Sequence, residues 1–311
     1  MSNTVKAIIF GGTFLLIGLS AKIGMTVFSA SEKNGDYASA NMIEAVSPVE
    51  KPSAIDITEI PGKKEPMVPA NLNLKAVSVI DLSSGEEIFS LHETDRWPLA
   101  SVSKLMSSIV TLENMDPEQR IYFSEQAIAT EGVSGSFSVG ESYSAEDLVY
   151  AMMVVSSNDA AVALLESMPE GQFVTLMNQK ALELGMYNTR FSEPTGLSML
   201  NQSTVDDLSL LMKYAWEFHP DLFSVSSRKT ITIRELNSRK NIRLTNINAL
   251  APRSDFLGGK TGYTEDANEN LVSVFSLKSK PIAIIILGAD NRVAEVEKII
   301  SFITNDIHAT N

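Results

Sequence analysis

Residues Pro98–Ser108 read PLASVSKLMSS, and within them Lys104 follows Ser101 by three positions at the start of an apolar, helix-like run. Three residues are close to one helical turn, so both side chains fall on one face. A hydroxyl and an amine held together there read either as a nucleophile with the base that activates it, or as a capping serine with an ordinary surface lysine. The motif alone does not choose between them.

The chain has 311 residues, 44% of them hydrophobic, enough for one large domain or two small ones. A formal charge of −13 argues against a nucleic-acid partner, because phosphate binding needs clustered Lys and Arg. There is no cysteine, which removes disulfides, thiolate-bound zinc and thiol nucleophiles together. The three histidines, His92, His219 and His308, are scattered and lie in no metal-binding spacing. Neither a metal site nor a cofactor is expected.

Residues 7–21, AIIFGGTFLLIGLSA, carry no charge, and apolar character resumes after Lys22 as far as Phe28. Together they approach the ~20 residues that cross a bilayer. Residues 1–30 are therefore expected to be an N-terminal transmembrane anchor or signal segment. The poor cleavage points, with Phe28 or Leu19 at the −3 position, favour an anchor. Residues 31–69, with Pro48, Pro52, Pro61, Pro66 and Pro69, read as a flexible tether. The folded domain is expected over 70–311, outside the cytoplasm.

Within it, KAVSVIDL and EIFSL flank Ser83–Glu86 as a β-hairpin. Ser101–Glu113 is helical. SAEDLVYAMMVV opens on Ser144 with Asp147 three positions on, a capping-box arrangement. GQFVTLMNQKALELG and STVDDLSLLMKYAWEF are amphipathic helices, and ENLVSVFSL with PIAIIILGA forms a late hairpin. Val293, Val296, Ile299, Ile300 and Ile303 mark a closing helix. Strands at both ends with helices between predict an α+β domain: one sheet built from both chain ends, flanked by helices, with a helical lobe inserted.

Two further stretches stand out. Ser156-Ser-Asn158 interrupts an apolar run, and Lys260-Thr261-Gly262 precedes the late hairpin. Alone, the first reads as a cap or turn and the second as a turn before a strand. The ordered set S-x-x-K, S-x-N and K-T-G is, however, the signature of penicillin-binding proteins and serine β-lactamases. About fifty residues separate the first two motifs and about a hundred the last two.

The text around them, WPLASVSKLMSSIVTLE, VGESYSAEDLVYAMMVVSSNDAAVALLE, LMNQKALELGMYNTRFSEPTGL, STVDDL and GGKTGYTEDANENLVSV, resembles the low-molecular-mass D-alanyl-D-alanine carboxypeptidases of serine peptidase family S11, over roughly residues 70–305. The resemblance implies the penicillin-recognising, β-lactamase-like α/β fold, an antiparallel five-stranded sheet beside a helical lobe. It implies a substrate, the peptidoglycan stem peptide ending in D-Ala-D-Ala, and β-lactams as covalent inhibitors. It also implies a place on the outer face of a bacterial cell membrane through residues 7–28, or secretion if that segment is cleaved.

By the same resemblance, Ser101 is the nucleophile and Lys104 its base. Ser156 relays a proton to the leaving amine, and Asn158 positions substrate and lysine. Lys260, Thr261 and Gly262 bind the terminal carboxylate and set the local field. The backbone N–H groups of Ser101 and Tyr263 hold the oxyanion. Arg292 is a candidate carboxylate ligand, weighed against a solvated arginine at a helix start.

Two departures stand out: Ser157 where these enzymes carry glycine, and Ala267-Asn268 where they carry Ala-Gly. Asparagine tolerates positive φ, so the second turn is expected to persist. Rival readings are a D,D-endopeptidase with the same machinery, a β-lactamase using Glu193 as deacylating acid, and a silent wall-binding protein.

Overall fold

The computed structural model describes residues 68–132 and 135–305. The expected anchor, most of the tether, and His308 lie outside them. Among the described residues no helix is long and apolar enough to cross a membrane.

The elements in chain order are β1 (Ala76–Asp81), β2 (Glu87–Leu91), β3 (Trp97–Pro98), a 3-10 turn (Ala100–Val102), α1 (Ser103–Asn114), β4 (Arg120–Tyr122), α2 (Glu125–Ile128) and β5 (Ser142–Ser144). There follow α3 (Ala145–Val154), α4 (Asn158–Glu166), α5 (Gln172–Glu183), β6 (Gln202–Ser203), α6 (Val205–Phe218) and α7 (Pro220–Ser226). The chain then forms β7 (Thr230–Arg234), β8 (Asn241–Thr245), β9 (Phe256–Thr264), β10 (Asn268–Leu277), β11 (Lys280–Ala289) and α8 (Arg292–Asn305).

The main sheet has the order β2-β1-β11-β10-β9, and every pairing in it is antiparallel. Its centre thus joins the first strand to the last, as strands at both ends of the sequence predict. Side chains alternate across it with period two. Ala76 and Ile80 of β1 and Ala283, Ile285 and Leu287 of β11 enter the core shared with the helical lobe. Val77, Val79, Ile282, Ile284 and Ile286 enter a second core beneath α8. Burial on both faces accounts for the unbroken apolar run of β11. Val296, Ile299, Ile300 and Ile303 pack α8 onto the second core, as their spacing predicts.

Local signals act where they were read. Ser144 Oγ accepts the Asp147 N–H at 3.1 Å and caps α3, while Asp147 Oδ2 accepts the Arg234 amide. Asn268 adopts φ 52°, so asparagine holds the turn in the left-handed conformation, as expected.

Candidate active site

Ser101 sits in the 3-10 turn that feeds α1, directly after Ala100, whose φ is 48°. A non-glycine residue in that region is strained and persists only where its surroundings hold it. Two glycines do so. A Cβ on Gly196 would come within 1.9 Å of Ala100 O, and one on Gly262 within 2.7 Å of Leu99 O. Asn270 Nδ2 adds a bond to Pro98 O at 2.8 Å. The turn is gripped between the 193–198 loop and the K-T-G strand.

One helical turn on, Lys104 is fully buried. Its Nζ lies 3.1 Å from Ser101 Oγ, 2.6 Å from Asn158 Oδ1 and 2.5 Å from Thr195 O. Burial pushes its pKa down to about 7, against the opposing pull of the Glu193 and Asp159 carboxylates. A neutral amine has two N–H donors and one lone pair. Two carbonyl oxygens take the donors, and the lone pair is left for the Ser101 hydroxyl.

The S-x-N segment lies between α3 and α4. Ser156 carries the positive φ, 59°, whereas Ser157 is the N-cap of α4 with an ordinary φ of −57°. The position occupied by Ser157 therefore makes no demand for glycine. Ser157 Oγ accepts the Ala160 N–H at 3.0 Å and bonds the Asp159 carboxylate. Asn158 spends its amide nitrogen on Glu131 O at 2.8 Å, which leaves Oδ1 fixed toward Lys104.

Lys260, also fully buried, donates to Ser156 Oγ at 2.9 Å and to Thr261 O at 2.7 Å. Burial pushes its pKa well down, and its neighbours Arg292 and Lys104, when the latter is protonated, push it further. β9 is an edge strand, so alternate backbone groups face away from β10. Thr261 O is on that free edge, where Lys260 reaches it. Period two places the Tyr263 N–H on the same edge, facing the turn that carries Ser101. The Tyr263 side chain itself is exposed.

Arg292 opens α8 and is not a solvated arginine. Its Nη1 donates to Gly262 O at 2.5 Å and Asn270 O at 3.0 Å, and Nε lies 3.6 Å from Glu269. It braces the K-T-G strand and adds positive charge behind it.

Sequence reading missed Thr195 and Asp159 as partners of the site. Glu193 does not serve as a free acid. Its Oε2 accepts from Thr195 N and Oγ1 at 2.6 and 2.5 Å, and its Oε1 from Gly196 N at 2.7 Å and Ser198 N at 3.2 Å. These bonds shape the loop that presents Thr195 O to Lys104. The two described histidines are engaged elsewhere, His92 with Asp95 and His219 with Glu113.

Residues 63–291 match the Peptidase S11 family, described as D-alanyl-D-alanine carboxypeptidase. The chain belongs to this family. It is 34% identical to the D-alanyl-D-alanine endopeptidase of Pseudomonas aeruginosa, over 68% of this chain and 70% of that one. It is 28% identical to the D-alanyl-D-alanine carboxypeptidase DacF of Bacillus subtilis, over 73% of this chain and 61% of that one. Among solved structures, a D-alanyl-D-alanine carboxypeptidase from Mycobacterium tuberculosis superposes with a TM-score of 0.70 at 24% identity, covering 79% of this chain and 94% of the other. The Streptomyces K15 DD-transpeptidase superposes at 0.69 and 22% identity, covering 76% and 98%.

The S11 peptidases are serine hydrolases, and this member brings side chains of all three motifs together, Lys104 beside Ser101 and Asn158 and Lys260 beside Ser156. The fold is the penicillin-recognising one.

Proposed function

We propose that this S11 peptidase hydrolyses the D-Ala-D-Ala bond at the end of peptidoglycan stem peptides through an acyl-enzyme on Ser101. The observation that carries the reading is the buried Lys104 amine, 3.1 Å from Ser101 Oγ, with both its donors spoken for. A serine hydroxyl needs such a base within reach.

Ser101 Oγ attacks the carbonyl carbon and passes its proton to Lys104 Nζ. The developing oxyanion is received by the Ser101 and Tyr263 N–H groups, each such donor being worth about 2.7–4 kcal/mol of barrier. Collapse breaks the C–N bond, and the departing D-alanine amine takes the proton through Ser156. Lys260 and Thr261, with Arg292 behind them, attract the terminal carboxylate. Water, deprotonated by Lys104, then cleaves the ester and frees Ser101. A β-lactam enters by the same attack, but its amine stays tethered to the acyl group and obstructs the water. Residues 7–28 hold the enzyme on the outer face of the cell membrane in this reading, with 31–69 as the tether.

A second reading is favoured by the names of two relatives. The sequences 34% and 33% identical are endopeptidases, from Pseudomonas aeruginosa and Escherichia coli. The bond attacked has the same chemistry, and only the group on the leaving amine differs. The test uses the full chain with a soluble peptide ending in Lys-D-Ala-D-Ala and, separately, a cross-linked muropeptide dimer. D-Alanine release that is absent in Ser101→Ala establishes the carboxypeptidase. Conversion of dimer to monomer without D-alanine release establishes the endopeptidase. Neither product, with no labelling by penicillin, sinks the proposal.

A further inference from the structure

The β7–β8 hairpin is one of three two-stranded sheets among the described residues, and its charge runs against that of the chain. Between Arg228 and Arg243 stand six cations, Arg228, Lys229, Arg234, Arg239, Lys240 and Arg243, against one acid, Glu235. The whole chain carries −13. Ile231, Ile233 and Leu244 point inward to the lobe's core, so the alternate positions face water. Thr232 stands opposite Arg243, and Arg234 opposite Asn241, on that outer face.

All six cations are exposed, and among the described residues none of their side chains has a hydrogen bond or ion pair. Of the neighbouring acids, Asp221 lies near Arg228, and Glu235, Asp147 and Glu146 are already engaged. Glu235 is buried and accepts the Ser142 and Asn237 amides at 3.0 Å as well as that of Ser238. Asp147 accepts the Arg234 amide, and Glu146 the Tyr150 hydroxyl. Bare like charges held on a rigid ribbon repel one another and are neutralised by a polyanion laid across them.

The open end of the hairpin is stitched to both walls of the cleft. Ile247 N–H bonds Val154 O at 3.1 Å, two residues before Ser156. Asn246 Nδ2 bonds Ser226 O at 2.7 Å, and Ser226 Oγ accepts the Gly259 amide, next to Lys260, at 2.9 Å.

We propose that the outer face of this hairpin, centred on Arg234, Arg239, Lys240 and Arg243, docks the carboxylate-rich stem peptides of polymeric peptidoglycan and orients the polymer toward the cleft. The inference rests on the peptidoglycan reading above. The stem peptides supply repeated carboxylates, and the acidic remainder of the chain repels them, so this face sets which side of the enzyme meets the polymer. A short soluble peptide reaches the cleft without it.

The test compares the full chain with its Arg234→Gln/Arg239→Gln/Arg243→Gln variant and with the corresponding triple Arg→Lys variant. Co-sedimentation with purified sacculi is measured at about 0.02 M and about 0.3 M salt, which spans weak and strong screening. At low salt the Gln variant is expected to bind about tenfold more weakly, three lost surface attractions of roughly 0.5 kcal/mol each. High salt brings the unmodified chain to the same level, and the Lys variant keeps its binding. D-Alanine release from a soluble pentapeptide stays within about twofold throughout.

Unchanged sedimentation of the Gln variant overturns the proposal, as does equal loss in the Lys variant. It is also overturned if the Gln variant loses binding to phosphatidylglycerol vesicles while keeping sacculi. Sedimentation requires no bond cleavage. A chain that binds sacculi through the hairpin yet releases no product would therefore refute the catalytic reading and leave this one standing.

Discussion

Lys260 Nζ donates to Ser156 Oγ over 2.9 Å, joining side chains 104 positions apart and tying one wall of the cleft to the other. A substrate carboxylate arriving beside Lys260 favours its protonated form and offsets the burial that holds its pKa down. Lys260→Ala is expected to lower kcat/KM by about 10²–10³-fold, from losing a buried charge partner worth about 2–5 kcal/mol. Steady-state kinetics on the soluble peptide checks this.

Lys104 sets the pH profile. It must be neutral to take the Ser101 proton, so acylation rises with pH through its folded pKa, about 7. Burst acylation by a chromogenic β-lactam between pH 5 and 9 is expected to show that ascending limb near 7. A flat profile across neutrality would remove Lys104 from the role of base. The same group acts on folding. The unfolded chain binds more protons between about 7 and the ordinary lysine value of 10.5, so this site's contribution to stability rises with pH across that window.

Glu193 separates a loop-building carboxylate from a deacylating one. Were it the acid that activates water, Glu193→Ala would acylate normally and stall as a long-lived acyl-enzyme. Its oxygens instead hold backbone amides around Thr195. The expected outcome is slower acylation together with a loss of about 2–4 kcal/mol in stability, from buried donors left unpaired. Acyl-enzyme mass spectrometry alongside denaturant unfolding distinguishes the two.

Gly196→Ala tests the grip on the nucleophile turn. At φ 84° and with its Cβ 1.9 Å from Ala100 O, an alanine must push the turn away. We expect at least a tenfold loss of penicillin acylation and a stability cost of about 1–3 kcal/mol. Gly171→Ala, where a Cβ meets nothing within 4 Å, shares the positive φ and controls for backbone strain alone.

What could be read from the sequence was what local physics decides. The hairpins at both chain ends, the Ser144 cap and the closing helix are governed by periodicity and nearby hydrogen bonds. The motif residues were legible only as the ordered set S-x-x-K, S-x-N and K-T-G, since each alone reads as a cap, a turn or a surface pair. Thr195 was not, since it contributes a backbone carbonyl, which leaves no trace in side-chain identity. Asp159 is the acidic residue in the first turn of α4, and nothing in that position signals its bond to Ser157 or its charge near Lys104. The need for glycine at 196 arises from a backbone nearly a hundred positions earlier in the chain. Arg292 could not be settled from sequence because its partners, Gly262 O and Asn270 O, are again carbonyls.

The union of β1 with β11 at the centre of the sheet has a consequence for how the enzyme comes into being. Asn73 N–H bonds Glu295 at 3.1 Å across 222 residues, and the β1–β11 ladder spans nearly as many. Contacts of such long range close late, after the loop entropy between them has been overcome. During synthesis the first strand must wait for the last. The edge strand with Lys260 joins the sheet through β10 and β11, so the site is complete only once those two strands have emerged.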